Sequence, residues 1–323
     1  MDKLKCVHGI KHKEPTVRIT KETKEENRRM KIVLGPASVE LGEKISQLAD
    51  IEKVSVASKT FPDGESYIRL EGAVQDEHVV VVQTTSSPQD SRLIQLAFIA
   101  AAAKRNKARK VTAIVPYLAY ARQDKIFLEG ENISIETVAS MLHAAGVDAL
   151  ITVNMHAENA LARFPFPAKS ISAIPLLAEY FTQKGFKKAF ALAPDKGAMH
   201  IADEAQGILG GEAGHLEKQR DRYTGQVNVA KKDFNVKGKT AIIFDDIIST
   251  GGTIVGAAKI LKELGAAKIY AACVHALLIG DAEKRILDAG VEEIIGTDSV
   301  FSLASKVSLA PLISKELKAL KSG

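Results

Sequence analysis

The sequence predicts an α/β chain of two tandem halves, each a mainly parallel sheet flanked by helices. Three observations carry that prediction. Short apolar strands alternate with helix-patterned segments from residue 31 onward, the rhythm of parallel sheets covered on both faces. The rhythm restarts at Ile171. Two helix–turn–strand segments, 101–113 and 258–271, also align at an offset of 158, placing Lys104 on Lys262, Ala108 on Ala266, Lys110 on Lys268 and Ala113 on Ala271.

A length of 323 residues suits about two domains. The expected organisation is a charged extension over 1–30, halves over 31–170 and 171–305, and a C-terminal helix within 306–323 that packs back on the first half. With 46% hydrophobic and 26% charged residues, the composition is that of a soluble globular protein. The net charge of +5 resides mostly in the extension, which holds nine basic and five acidic residues; the remainder has 35 basic against 34 acidic. A nearly neutral body gives no footprint for nucleic acid. No apolar run approaches the roughly 20 residues of a membrane span, and no signal peptide begins the chain. Two distant cysteines, Cys6 and Cys273, are consistent with a reducing cytoplasm. Cys6, His8 and His12 lie close together in sequence, but three ligands in a Lys-rich tail make a weak metal motif.

In the first half, Lys31–Leu34 reads as a strand, and Gly35-Pro36-Ala37-Ser38 turns into a helix ending near Leu48. Strand-like Lys53–Ser58 leads to Phe61-Pro62-Asp63-Gly64-Glu65, whose Pro-Asp-Gly centre is a turn signal. His78–Val82 is almost continuously apolar, as a central parallel strand should be. Thr84 to Pro88 precede an Ala-rich helix from Asp90 to Arg105. The strand Lys110–Val115 runs into a loop containing Arg122-Gln123-Asp124, and a helix over Ile135–Ala145 precedes the strand Leu150–Asn154 and Met155-His156-Ala157.

In the second half, a helix over 174–184 is followed by the strand Ala189–Ala193 and the turn Pro194-Asp195-Lys196-Gly197. Asp195 there suits a helix N-cap. A Gly-rich charged interval spans 210–226. The most informative stretch is Thr240–Ile254: a buried strand over 241–244, expected to end at Asp245 and Asp246, then Ser249-Thr250-Gly251-Gly252-Thr253 opening a helix over 254–264. Small residues, hydroxyls and a helix N-terminus make a cradle for a phosphate. Neighbouring carboxylates would repel that phosphate unless a sugar hydroxyl or a cation intervenes. The pattern therefore indicates a sugar phosphate, and the Gly-Lys-Ser/Thr end of a triphosphate-gripping Walker loop is absent. Strands over 268–274 and 293–296 and helices over 281–289 and 309–320 complete the expected elements.

With Asp245–Thr253, Phe61–Glu65, Arg122–Asp124 and Met155–Ala157 in this order, the chain resembles the ribose-phosphate pyrophosphokinases over about residues 31–320. The resemblance implies two phosphoribosyltransferase-like domains, with ATP bound by the first and ribose 5-phosphate by the second, and a nucleotide site completed by a neighbouring subunit. It also implies the reaction: the anomeric hydroxyl attacks the β-phosphorus of ATP, AMP leaves, and phosphoribosyl pyrophosphate is formed. Such a transfer asks for positioning and charge neutralisation, and the implied cofactor is Mg2+.

Residue by residue, the resemblance assigns Phe61, Asp63 and Glu65 to adenine, and Arg122 and Gln123 to ATP, with Asp124 orienting them. His156 is implied at the ATP phosphates and as a metal ligand. Asp195 and Lys196 are implied in the pyrophosphate region, Asp195 also as a metal ligand. Asp245 and Asp246 would hold the ribose hydroxyls, and Ser249, Thr250, Gly251, Gly252 and Thr253 the 5-phosphate. Lys218 and Arg220, with His156, are the implied catalytic residues, carried on a lid flanked by Gly210, Gly211, Gly214 and Gly225. Lys125–Ser134 is less basic than in many bacterial and animal members and looks more like archaeal ones. That departure argues against control by phosphate or ADP and against a hexamer, leaving a homodimer or homotetramer expected. A phosphoribosyltransferase would explain the cradle alone but not the paired halves. A silent regulatory subunit should have lost Lys218, Arg220 or His156, and all three are present.

Overall fold

The structure is a computed structural model that describes residues 29–220, 227–230 and 234–322, without the side chains of 218–220, 227–230 and 322. The extension over 1–28, with Cys6, His8 and His12, lies outside the described residues, as does Gly225. The first half contains β1 (Met30–Leu34), α1 (Val39–Ala49), β2 (Glu52–Thr60), β3 (Ser66–Glu71), β4 (His78–Val82), α2 (Gln89–Arg105), β5 (Lys110–Val115), α3 (Ser134–Ala144), β6 (Ala149–Val153) and β7 (Ala168–Ile171). Its seven strands lie in the order β3-β2-β1-β4-β5-β6-β7, parallel except for the β2–β3 hairpin. Every residue of β4 is buried, which is why its sequence is continuously apolar after His78.

The second half contains α4 (Ile174–Gln183), β8 (Phe190–Ala193), α5 (Met199–Leu209), β9 (Ala213–His215), β10 (Glu217–Arg220), β11 (Val227–Ala230), β12 (Thr240–Ile248), α6 (Gly252–Glu263), β13 (Lys268–Ala276), α7 (Ala282–Asp288), β14 (Ile294–Thr297), β15 (Ser305–Val307) and α8 (Ala310–Ser322). Its six-stranded sheet has the order β15-β14-β13-β12-β8-β9, and each pairing is parallel. The run β1-β4-β5-β6-β7 in one sheet therefore has the topology of β8-β12-β13-β14-β15 in the other. Lys110 and Lys268, matched by the sequence offset, open the equivalent strands β5 and β13.

The halves are not separate beads. One core cluster includes Ile32 and Leu34 of β1, Ile45 of α1, Phe181 of α4, Phe244 of β12 and Ile313 of α8. Helix α8 lies on α1, where the Ser314 hydroxyl donates to the Ile45 carbonyl at 3.4 Å and Lys321 reaches the Asp50 carbonyl at 3.3 Å. Lys169 also pairs with Glu316.

Two expectations change. β12 does not end at the carboxylates. It is paired with β8 only through Ile243, but β13 continues the ladder to Ile248. The apolar run stops at Phe244 because β8 stops, not because the strand does. Gly214, expected to flank a lid, also has a packing role. Gly214 lies in β9, where a Cβ would approach Phe234 to 2.7 Å and Phe190 to 3.0 Å, so its lack of a side chain serves packing. The segment is anchored as far as Leu216, which is 2% exposed, and the antiparallel ribbon β10–β11 starts only after it.

Phe181, 1% exposed, meets Phe186, Phe244 and Tyr270 with ring centroids 5.8 to 6.2 Å apart. Phe181→Ala should cost about 3–5 kcal/mol. Because this core spans both halves, denaturant unfolding should shift as one transition; separate transitions for the halves would contradict a shared core.

Candidate functional site

The carboxyl ends of both sheets face a common cleft, the position at which parallel α/β sheets bind ligands. On the first-half side, Tyr117, Tyr120, Arg122, Gln123 and His156 line a cavity of about 250 Å³, with Ile247 and His275 contributed by the second half. A neighbouring cavity of about 640 Å³ is lined by His156, Asp195, Gly197, Asp245 and Asp246 among others. Asn154, Met155 and His156 border both cavities. His156 stands where they meet.

The arrangement follows from local chain geometry. β6 ends at Val153, and Asn154 takes a left-handed conformation, φ 37°. The Asn154 side-chain carbonyl accepts the Ala173 amide at 2.7 Å, which pins the turn presenting His156. Opposite, Asp245 and Asp246 project beyond the end of β8. The Asp246 amide donates to the Asp245 carboxylate at 2.9 Å, and the Ile247 amide donates to Asp246 at 2.8 Å. Asp195, just past β8, accepts the Gly197 and Ala198 amides at 3.0 and 3.2 Å. It therefore caps its turn while facing the cleft. Lys196 in that turn is exposed.

His156 Nδ1 and Asp246 Oδ2 are 2.6 Å apart, an ion pair joining the two halves. The Asp246 hydrogen bond raises the His156 pKa against the opposing effect of burial. Burial alone would raise the Asp246 carboxyl, but the His156 bond and charge outweigh it and hold the group at about 2. Asp245 goes the other way: burial, then the adjacent Asp246 charge, push it well above the usual carboxylate range, and Asp195 adds to the effect. Among the described residues no three His, Cys, Asp or Glu side chains form a ready-made metal cage. The crowded anionic charge fits instead an oxygen-seeking cation held by one or two carboxylates together with substrate phosphates.

The cradle follows directly. Ser249 is half-buried, Thr250 is exposed and Gly251 is buried, and α6 begins at Gly252. Gly251 has φ 78°, and a Cβ there would come within 2.8 Å of the Ile286 side chain, so only glycine suits this turn. The segment after β13 fixes the loop entrance: Leu278 N donates to Ile248 O at 3.1 Å, and Ile279 N to Ser249 O at 3.0 Å. Nothing in the local sequence marked those contacts.

Not every expected residue comes to the cleft. Phe61, Asp63 and Glu65 form the tip of the β2–β3 hairpin, where the Phe61 amide donates to the Glu65 carbonyl at 2.8 Å, and they line neither cavity. Phe61 is exposed, with Tyr67 edge-on at 6.2 Å and the Lys59 ammonium 4.4 Å from its ring centre. Gln123 is oriented by Glu131, at 3.2 Å, rather than by Asp124. Glu131 also accepts the Phe127 and Leu128 amides, while Asp124 acts on His156 through charge. Lys218 and Arg220 lie on β10, opposite Val229 and Val227 of β11; their side chains are outside the described residues.

Comparison with known proteins adds a family to this geometry. Residues 30–146 match the N-terminal domain of ribose phosphate pyrophosphokinase, and residues 227–314 match the phosphoribosyl synthetase-associated domain. The chain belongs to the ribose-phosphate pyrophosphokinase family. It is 42% identical to the ribose-phosphate pyrophosphokinase of Saccharolobus solfataricus, over 84% of this chain and 93% of that one. Identity to the Methanothermobacter thermautotrophicus ribose-phosphate pyrophosphokinase is 44%, over 87% of this chain and 98% of that one. The crystal structure of phosphoribosylpyrophosphate synthetase from Mycobacterium smegmatis superposes with a TM-score of 0.81 at 30% identity, covering 91% of this chain and all of that one. Family membership and the fold thus agree over both halves.

The ion pair sets a pH window. Its contribution from His156 is complete below the ordinary 6.5 and lost as pH rises through the raised value. Its contribution from Asp246 is present above 3.8 and lost as pH falls toward about 2. NMR titration of His156 should therefore give a midpoint above 6.5. Asp246→Asn should bring it to 6.5 or below, because burial then acts without the carboxylate. An unmoved midpoint would mean that the pair does not form in solution.

Proposed function

We propose that the cleft binds ATP against its first-half wall and ribose 5-phosphate against its second-half floor, and transfers the β,γ-pyrophosphoryl group between them. Membership of the ribose-phosphate pyrophosphokinases supports this reaction, EC 2.7.6.1, with phosphoribosyl pyrophosphate and AMP as products. The observation that carries the assignment is the meeting of the two cavities at His156, between Arg122 on one side and Asp245 and Asp246 on the other.

In this reading Ser249, Thr250, Gly251, Gly252 and Thr253 hold the 5-phosphate on hydroxyls and on the amides opening α6. Asp245 and Asp246 take ribose hydroxyls. A hydroxyl donating to Asp246 competes with His156 and releases that imidazole toward the ATP phosphates. Arg122 offers a planar pair of donors to the same phosphates, with Gln123 beside it, and Asp195 and Lys196 border the pyrophosphate. The anomeric oxygen then forms a bond to the β-phosphorus, the bond to the α,β-bridging oxygen breaks, AMP leaves with that oxygen, and the hydroxyl proton passes to water. Lys218 and Arg220 bring positive charge to the transferring group as β10–β11 closes. Mg2+, when bound, would neutralise phosphate charge, and Asp195 and His156 are the protein residues that would hold it beside the substrate phosphates.

Phe61, Asp63 and Glu65 fit an adenine site shared between subunits, since they border neither cavity of their own chain. The working form is then a homodimer or homotetramer. No helix among the described residues is long and apolar enough to cross a membrane. Cys273 is a buried free thiol, consistent with a cytoplasmic enzyme.

Incubation with ATP, ribose 5-phosphate and Mg2+ should release AMP in step with phosphoribosyl pyrophosphate, and chelation of the metal should stop it. ADP in place of AMP would refute the assignment. Lys218→Ala should lower kcat by about 10²–10³-fold with little change in ATP KM; a loss confined to KM would remove the transition-state role.

A further inference from the structure

His275 borders the first cavity, yet both its ring nitrogens are bonded to protein and it is buried where the halves meet. It lies on β13 opposite Ile247, one residue beyond Asp246 on β12, and is 2% exposed. Nε2 is 3.0 Å from the Val153 carbonyl and Nδ1 is 2.9 Å from the Ser299 hydroxyl. A carbonyl only accepts, so Nε2 carries the proton and Nδ1 accepts from Ser299. Ser299 Oγ also lies 2.8 Å from the Val274 carbonyl, but a hydroxyl has one proton: with it given to Nδ1, the Thr297 hydroxyl, 2.7 Å from the same carbonyl, donates there instead. Burial lowers the imidazole pKa to about 4, in keeping with this neutral tautomer. The Ser299 carbonyl in turn accepts from Thr84 of the first half at 2.7 Å.

Symmetry of the fold sharpens the point. Tyr117 and His275 stand seven residues into the matched segments opened by Lys110 and Lys268. Their rings meet edge-on at 5.0 Å. Equivalent positions of the two copies thus touch, and His275 is the one whose polar atoms bridge them. Val153 is the last residue of β6 and leads through the left-handed Asn154 to His156. On β12, Ile247 pairs opposite His275 and directly follows Asp246. The imidazole thus ties the end of β6 to β13, the strand laddered to β12.

We propose that His275 is a positioning residue: its Nε2 bond ties the strand end presenting His156 to β13, which is laddered to the strand presenting Asp245 and Asp246, its Nδ1 bond to Ser299 holds the ring in place, and together they align ATP with ribose 5-phosphate. The proposal rests on the reaction assigned above. Neither bond touches a substrate, so each substrate alone should bind almost normally while the aligned pair is lost. Misplacement by about 1 Å can reduce a rate about 10²-fold.

The test compares His275→Leu, which removes both bonds, with His275→Gln, which keeps an amide donor and an acceptor in reach. In the Leu variant kcat should fall about 10²-fold, with Kd for ribose 5-phosphate and for a non-hydrolysable ATP analogue, each measured alone, within about threefold of the parent. The Gln variant should recover most of kcat. Amide hydrogen exchange at Met155 and His156 should quicken in the Leu variant and return toward parental protection in the Gln variant. Parental kcat in a folded Leu variant, equal losses of kcat and single-substrate affinity, or no advantage of Gln over Leu would each overturn the proposal. If the parent protein itself makes no phosphoribosyl pyrophosphate, the reaction assignment fails. In that case the exchange comparison still decides whether His275 fixes the strand end.

Discussion

Asp245 and Asp246 stand one peptide apart at the mouth of a buried strand, and the surrounding structure is arranged around that crowded negative charge. Two carboxylates so close and so poorly hydrated cannot both ionise without compensation. Backbone amides stabilise part of it: the Asp246 amide turns to Asp245, and the Ile247 amide to Asp246. His156 does the rest for Asp246, while Asp245 is driven toward its neutral form. The charge is thereby split unequally between neighbours. The Asp246 carboxylate is held by its ion pair, while burial and the Asp246 charge push Asp245 the other way.

That compensation makes the two halves depend on each other. The cation needed by a second-half carboxylate comes from the end of β6 in the first half, so any change in how the sheets meet alters the electrostatics of both cavities. The packing between them is correspondingly firm. Tyr117, Ala119, Ile247 and Val300 make a small apolar cluster at the seam, and the larger core beneath runs through β1, β12, α4 and α8. The cleft floors belong to this shared core, and the ribbon β10–β11 is a separate two-stranded sheet.

Features set by near neighbours in the chain were legible in the sequence. Buried strands such as β4, the Asp195 cap and the turn at Gly64 all follow from residues within a few positions. The cradle at Ser249–Thr253 was legible for the same reason, since its glycines and helix start are contiguous. The extent of β12 was not, because it is set by where β8 stops and β13 continues, a fact of sheet register. The edge strands β7, β9 and β15 were not anticipated either; they are three or four residues long and only partly buried, so they leave no apolar run. Pairing of His156 with Asp246 spans 90 positions, and no spacing rule reaches that far. Glu131 was overlooked for Asp124 because adjacency to Arg122-Gln123 was a poorer guide than the turn that folds Glu131 back.

The unequal fate of the two copies completes the physical picture. In the second half, the segment between β12 and α6 remains open as a cradle, with Thr250, Gly252 and Thr253 exposed. Its topological counterpart between β4 and α2 contains Gln83, Thr84, Thr85 and Ser86, all 3% exposed or less. Those polar groups are already committed. Gln83 accepts the Ala37 amide, the Thr84 amide donates to Ser38 and its hydroxyl to Ser299, and Thr85 bonds the Tyr117 carbonyl and the Ala119 amide. Gln83, Thr84 and Thr85 thus spend their side chains on protein partners rather than facing the cleft. One copy therefore offers its loop to a ligand, while the other uses the same position to brace the seam. A duplicated fold thus keeps one open loop at a helix start, and on the first-half side the cleft is walled instead by what lies beyond the sheet: the Arg122–Gln123 loop and His156.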